Sequence, residues 1–347
     1  MVERILSNIE LGFDVVIVGA GAAGCVLAKE LSSQYKVLLV DSREFPRRKA
    51  CSGILVAEAI DFFGKKLDDK ITVDSVKLDI EYVDLNNKTK KLTHKGFVNA
   101  DRAKLDNFLF EQVKDKDNVS FLQKTKVIEF AYAEDKIHKV IVCESNGVLK
   151  PVVTKYLVGC DGALSLIRRK IFKKDIPFYV GVQELVKSNK KFDRAYFIFD
   201  NEITDFYSWI IPKGNYVEIG SLLDPYNTKE KFNSLKDKLS KTFEINGNGH
   251  IDSAIVLRPS SVKDICLGTD NILLCGEAAG LISPSSAEGI SYALRSARLC
   301  AESINQKPKE ALKEYTKRCK DLLDRLDSKF KKAKVLSDQN KRKNAFE

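Results

Sequence analysis

Phe13-Asp-Val-Val-Ile-Val-Gly-Ala-Gly-Ala-Ala-Gly24 runs from an apolar strand through a glycine-rich turn into a helix-patterned stretch that continues to Leu31. In such a strand-turn-helix the first glycine permits the tight turn. The second lets backbone N–H groups approach a pyrophosphate, and the third lets the helix pack on the strand. Gly19, Gly21 and Gly24 hold those places. The helix start then turns its partial positive charge toward the phosphates. A second apolar run, Lys36 to Val40, ends in Asp41, near the ~20-residue spacing at which a carboxylate accepts hydrogen bonds from an adenosine ribose. This pattern predicts a doubly wound α/β unit that binds FAD or NAD rather than a 2′-phosphorylated cofactor.

Two further segments, Gly159-Cys-Asp-Gly-Ala-Leu-Ser165 and Gly276-Glu-Ala-Ala-Gly280, follow in an order that separates FAD from NAD. With them the chain resembles the hydroxylase-type FAD superfamily over most of residues 13 to 300, in particular its geranylgeranyl-reductase-like branch, which includes the CbrA flavoproteins. The resemblance implies that Asp161 and Gly162, followed by Ser165 and Arg168, lie beside the cofactor pyrophosphate. It also implies that Gly276 and Glu277 hold the ribityl and phosphate end, with Glu277 standing where most relatives have Asp. Arg102, in Asp101-Arg-Ala-Lys-Leu-Asp106, matches an arginine that reaches toward FAD, and Val127 matches a strand position along the adenine. From the residues alone, the other reading of Arg102 is a surface cation at a helix start.

At 347 residues, with 44% hydrophobic content and scattered charge, the chain reads as a packed globule of two domains. The expected architecture is a Rossmann-like FAD-binding domain with an inserted antiparallel-sheet substrate domain and a C-terminal helical segment. The FAD-binding domain is expected to be discontinuous, over residues 1–70, 97–170 and 264–305. The substrate domain is expected over 71–96 and 171–263, and the C-terminal segment over 306–347. Strand-like runs at 71–80, 178–186, 194–200, 207–211, 216–223 and 251–257 build the inserted sheet, with Lys229 to Phe243 as its covering helix. Residues 137–160 read as a meander that turns at Ser145-Asn146-Gly147.

No apolar run approaches the ~18 residues that span a bilayer, and the acidic residues Glu3 and Glu10 argue against a signal peptide. Eight cysteines without C-x-x-C spacing and three histidines predict reduced thiols, a cytoplasmic setting and no metal. The net charge of +10 favours encounter with an acidic carrier protein, while no groove-reading motif points to nucleic acid. With no second glycine-rich β-α-β unit before residue 270, electrons are expected from a transiently docked NAD(P)H or from a reduced carrier such as ferredoxin.

Tyr207-Ser-Trp-Ile-Ile-Pro-Lys-Gly-Asn-Tyr-Val-Glu-Ile-Gly220 reads as a hairpin turning over Pro212 to Asn215, with Tyr207, Trp209 and Ile211 on one face. It resembles the Tyr-x-Trp-x-aromatic-Pro-Lys signature of geranylgeranyl reductases, with Ile211 in the aromatic place. That likeness implies that the three residues wall an elongated apolar cavity; pattern alone is equally served by core packing. The stretch also resembles the halogenase signature Trp-x-Trp-x-Ile-Pro, but without the accompanying lysine motif. In Arg47-Arg-Lys-Ala-Cys-Ser-Gly-Ile54 the resemblance implies that Cys51 and Ser52 border the isoalloxazine, where Cys51 orients substrate or delivers a proton. The other reading of Cys51 is a small buried hydrophobe. A helix expected from Gly289-Ile290 to Ile304 turns its N-terminal amides toward flavin N1 and O2.

Near the C-terminus Leu312, Tyr315, Cys319, Leu322, Leu326, Phe330 and Ala333 form one apolar stripe beside a basic face. The stripe serves either packing on the protein or peripheral attachment to anionic lipid. The combined expectation is an FAD-dependent oxidoreductase that reduces carbon-carbon double bonds of an isoprenoid or similarly apolar lipid by hydride transfer from reduced flavin. The alternatives are a flavin-dependent monooxygenase, or a flavin electron-transfer or regulatory protein without a small-molecule substrate.

Overall fold

The computed structural model describes residues 12–64, 71–73, 77–133, 135, 138–188 and 190–346, without the side chains of residues 94, 95 and 140. The N-terminal reading at Glu3 and Glu10, and part of the strand expected over 71–80, lie outside these residues. The described chain opens with β1 (Gly12–Val18), α1 (Ala22–Glu30) and β2 (Val37–Val40). Continuous apolar runs in β1 and β2 suit strands covered on both faces, and Val15 to Ile17 and Val37 to Val40 are buried. After β3 (Ile54–Leu55) and α2 (Ala57–Phe63) come β4 (Leu78–Asp84), β5 (Thr89–Asn99) and α3 (Arg102–Glu111). Asp101 caps α3 by accepting from the Ala103 and Lys104 amides. Next are β6 (Val119–Leu122), β7 (Lys126–Tyr132), β8 (Lys139–Ser145), β9 (Val148–Gly159) and α4 (Leu166–Ile171). Between β8 and β9, Asn146 and Gly147 both take positive φ, as a two-residue hairpin turn requires.

The first sheet runs β6-β2-β1-β9, each pair parallel, and continues past β9 to two short strands from later in the chain. Register puts Val18 opposite both Val40 and Gly159. Gly19, Asp41 and Cys160 therefore leave the sheet side by side at its carboxyl edge, where open α/β sheets bind ligands.

The chain then builds a second sheet from β10 (Phe178–Lys187), β11 (Ala195–Phe199), β12 (Ser208–Lys213) and β13 (Tyr216–Leu223), followed by α5 (Thr228–Phe243) and β14 (His250–Leu257). Its order is β14-β10-β13-β12-β11-β4-β5-β3. Phe232, Leu235 and Leu239 of α5 cover one face. The other face carries Phe197, Tyr207, Trp209 and Leu222. Three expectations need correction. The first strand is Leu78–Asp84, set later than the 71–80 run, and pairs with the unforeseen β5. β4 and β11 are parallel, so the sheet is not wholly antiparallel. Strand β12 continues through Pro212 and Lys213, leaving only Gly214-Asn215 as the turn, because Lys213 pairs with Tyr216.

The chain returns to the first sheet through β15 (Gly268–Thr269) and β16 (Ile272–Leu274), the latter parallel to β9. It ends in α6 (Ile290–Gln306), α7 (Ala311–Arg318), α8 (Lys320–Ser337) and α9 (Gln339–Phe346). The C-terminal stripe spans two helices that part at Cys319, and Tyr315, Cys319, Leu322, Leu326 and Phe330 join the main core. Its apolar face is thus occupied by the protein itself. Arg342 on α9 is buried against Asp84 of β4, with Nε 2.5 Å from Oδ2.

Candidate functional site

Three motifs distant in sequence converge because β1, β9 and β16 are adjacent parallel strands. The Gly19 amide donates to Val40 O, Cys160 to Val18 O and Cys275 to Gly159 O, which sets the three turns in a row. A Cβ on Gly24 would stand 1.8 Å from Gly19 O, so only glycine allows α1 to seat this closely on the turn. Arg168 ties the other two turns together, donating to Ala163 O at 2.5 Å and to Ala278 O at 3.1 Å.

Beside the first turn lies a buried group of charges. Arg102 Nη2 meets Asp106 Oδ1 at 2.9 Å, and Arg47 Nη1 lies 3.5 Å from Asp106 Oδ2. Burial alone would raise the Asp106 carboxyl, but the Arg102 and Arg47 charges outweigh it and hold it below the ordinary range. Arg47 Nε and Arg102 Nε, both buried, find no hydrogen-bond acceptor among the described residues. Buried donors left unpaired are costly. Two such arginines beside a helix N-terminus and a glycine turn are what a pyrophosphate satisfies, so the residues present fit FAD. Asp161 gives a second signal of the same kind: Oδ2 accepts from the Leu166 amide at 2.8 Å, while buried Oδ1 has no partner among the described residues. Burial raises its carboxyl above the ordinary range.

This edge opens into a void of about 1190 Å³, its mouth included, between the first sheet and the bare face of the second. Gly21, Arg102, Gly162, Gly276 and Glu277 line it from the first sheet. Cys51 and Ser52 line it from the turn before β3, and Gly289 and Ile290 from the start of α6. Tyr207 and Trp209 line the opposite wall with Phe197, Leu222 and Val256. Gly19, Gly24, Asp41, Val127, Asp161 and Ile211 stand behind the surface. Asp41 is buried and accepts from the Ala20 amide at 2.8 Å, bracing the turn. Val127 is buried in β7, two residues from Thr125, whose amide donates to Asp41 O. Ile211 shares the apolar face of Tyr207 and Trp209 but is wholly covered beneath the wall. Glu277 turns its Oε1 to the Leu257 amide at 3.0 Å and so joins the cofactor turn to the end of β14. The extra methylene relative to Asp provides that reach.

The wall residues are both lining and packing. Tyr207 stacks between Phe197 and Phe206 and donates its hydroxyl to Ser286 O at 2.8 Å. Trp209 lies across Gly220, where a Cβ would come within 2.3 Å of its ring, and its Nε1 donates to Glu218 Oε1 at 3.1 Å. Burial drives the Glu218 carboxyl up to about 7, against the opposing effects of Lys213 and the Trp209 N–H. Lys213 donates to Ser52 O at 2.8 Å and to Asn99 Oδ1 at 2.6 Å, fastening the Cys51-Ser52 turn to the second sheet.

Arg47, Asp106, Gln183 and Glu218 were not marked by sequence reasoning. Arg47 and Asp106 lie in the segments Arg47–Ile54 and Asp101–Asp106, and the i, i+4 spacing of Arg102 and Asp106 on a helix was a usable signal. Nothing local marks Gln183 or Glu218, because cross-strand register brings them to the site.

A match to the FAD binding domain family covers residues 12–185. The chain is 30% identical to protein CbrA of Escherichia coli O9:H4 over 334 residues, which is 94% of this chain and 90% of that one. Its fold is similar to a geranylgeranyl bacteriochlorophyll reductase-like protein of Thermoplasma acidophilum (TM-score 0.82, 18% identity, covering 94% of this chain and 88% of that one). It is also similar to the p-nitrophenol 4-monooxygenase PnpA of Pseudomonas putida (TM-score 0.75, 19% identity, covering 96% and 93%). At these identities the two structures speak to fold alone.

Proposed function

The chain belongs to the FAD binding domain family, in its CbrA-like branch, and on that premise we propose that this FAD-dependent oxidoreductase reduces carbon-carbon double bonds of an isoprenoid or similarly apolar molecule. The observation that carries the reading is the void that joins the cofactor turns to a wall of Phe197, Tyr207, Trp209, Leu222 and Val256. A mostly apolar pocket with few polar groups is built to hold an apolar molecule against a fixed reactive centre. Bound FAD supplies two-electron reducing chemistry at that centre.

In this reading Gly19, Gly21 and Gly24 shape the pyrophosphate turn, and Arg47 and Arg102 meet its charge. Asp41 and Val127 serve the adenosine end, Asp161 and Gly162 lie beside the pyrophosphate, and Gly276 and Glu277 serve the ribityl and phosphate end. The start of α6 at Gly289 and Ile290 directs its amides toward developing negative charge. Tyr207 and Trp209 hold the substrate, backed by Ile211. The Cys51 thiol, held in place through Ser52 by Lys213, orients the substrate or hands over the proton that completes the reduction. Electrons come from NAD(P)H or from an acidic carrier such as ferredoxin, which the surplus positive charge attracts. No helix among the described residues is long and apolar enough to cross a membrane. Peripheral contact with anionic lipid is assigned in this reading to the basic face of the C-terminal helices. Extraction of the purified protein followed by mass spectrometry of the bound lipid tests the reading. An unsaturated isoprenoid or its saturated product supports it, and a polar aromatic acid would replace it with a hydroxylase.

A further inference from the structure

We propose that Gln183 recognises a hydrogen-bond donor on the substrate, so that the molecule entering the cavity is an apolar chain bearing a hydroxyl or amino group. This rests on the reading of the cavity as an apolar substrate site. The wall from the second sheet presents small or apolar surface at Gly181, Phe197, Leu222, Ala254 and Val256. Its polar atoms are mostly committed. Tyr207 donates to Ser286 O, and Trp209 donates to Glu218 Oε1. Gln183, half-buried at the cavity surface, donates from Nε2 to Glu218 Oε2 at 3.4 Å.

A carboxylate only accepts hydrogen bonds, so Glu218 in its ionised form fixes which way the amide points. Its NH₂ faces Glu218, and its carbonyl oxygen is left as the acceptor for a substrate donor. A carbonyl oxygen and a phosphate both accept, so the group that Gln183 reads is a donor and not a phosphate. Asp252 lies near enough to raise the Glu218 carboxyl further. Asp252 is paired with Arg48 at 3.1 Å, and the Lys213 charge acts on Glu218 in the opposite sense. Lys213 is engaged with Ser52 O and Asn99 Oδ1, and the charge of Lys49 acts on Asp106 at the cofactor end. An apolar chain is therefore read at one point, by an acceptor set in an otherwise small and apolar stretch of wall.

The test is titration of the oxidised holo-protein at pH 8 with geranylgeraniol, its methyl ether and its diphosphate, followed by perturbation of the flavin absorbance. The alcohol is expected to bind about fivefold tighter than the ether, the scale of one neutral hydrogen bond. Q183L should bring the alcohol to the ether's affinity and leave the ether unchanged. E218Q, which frees the amide to turn over, should shrink the preference and supplies the answer if Q183L does not fold. Equal affinity for alcohol and ether in the wild type, a preference that survives both substitutions, or tightest binding by the diphosphate would overturn the role of Gln183 while leaving the apolar cavity in place. Absence of binding by all three would remove the cavity reading and this inference with it.

Discussion

The glycine turn separates two demands that a single motif combines. A Cβ on Gly24 would strike backbone at 1.8 Å, whereas one on Gly21 would meet only the tip of Arg47, at 3.3 Å. Gly21→Leu should therefore fold with an ordinary melting temperature and fail to retain FAD, because its side chain fills the pyrophosphate place; a yellow, stoichiometric G21L protein would refute that placement. Glu218 makes a pH prediction. Its carboxyl is raised by burial from an ordinary 4.5 to about 7, so the folded protein holds this proton more tightly than the unfolded chain. The stability it contributes is full below pH 4.5 and is lost as pH rises through 7, a change of about 3 kcal/mol. E218Q should flatten that part of the stability profile in urea unfolding, and parallel profiles for the two proteins would contradict the assignment. At this scale the glycines were legible because their constraint is local backbone geometry. Gln183 and Glu218 were not, since their partnership exists only once β10 and β13 align Gln183 with Gly220.

Among the elements, the β12–β13 hairpin shows how one residue type can serve both wall and core. In sequence, core packing and substrate lining are alternative readings of Trp209, yet its ring rests on Gly220 and also faces the cavity. Trp209→Phe should accordingly lower stability and turnover together. The lost apolar contact, about 1–2 kcal/mol, corresponds to a five- to thirtyfold fall in kcat/KM. Gly220→Ala isolates the geometry: it should keep FAD, displace the indole at a cost of about 1–3 kcal/mol, and weaken turnover of a long apolar substrate. Unchanged kcat/KM in a destabilised G220A protein would make the indole purely structural. Sequence periodicity located this hairpin but set its turn too wide, because Pro212 reads as a breaker and here continues the strand. β5 was missed for a related reason: Lys90, Lys91, His94 and Lys95 interrupt its apolar alternation.

Across the whole molecule, the discontinuous order of motifs becomes one cavity because the first sheet is completed by strands from both ends of the chain, with the second sheet set between them. The last helix returns to brace that second sheet. Burial alone would raise the Asp84 carboxyl, but hydrogen bonds from Arg342 and Asn87 outweigh it and hold it below the ordinary range. Removing one partner of a buried pair strands the other charge, so Arg342→Met should cost about 3–5 kcal/mol, read as a fall in the unfolding midpoint. A loss under 1 kcal/mol would show that the pair is not holding the C-terminal segment. Periodicity revealed the apolar stripe of these helices but not the surface that receives it, which only the assembled core defines. In the proposed reaction the cavity presents an apolar alkene to reduced flavin. The most direct measurement of this is anaerobic mixing of the fully reduced holo-protein with geranylgeraniol, following flavin absorbance and product mass. Flavin is expected to be reoxidised without oxygen while the product gains two hydrogen atoms. Flavin that stays reduced until air is admitted, with a hydroxylated product appearing only then, would contradict it.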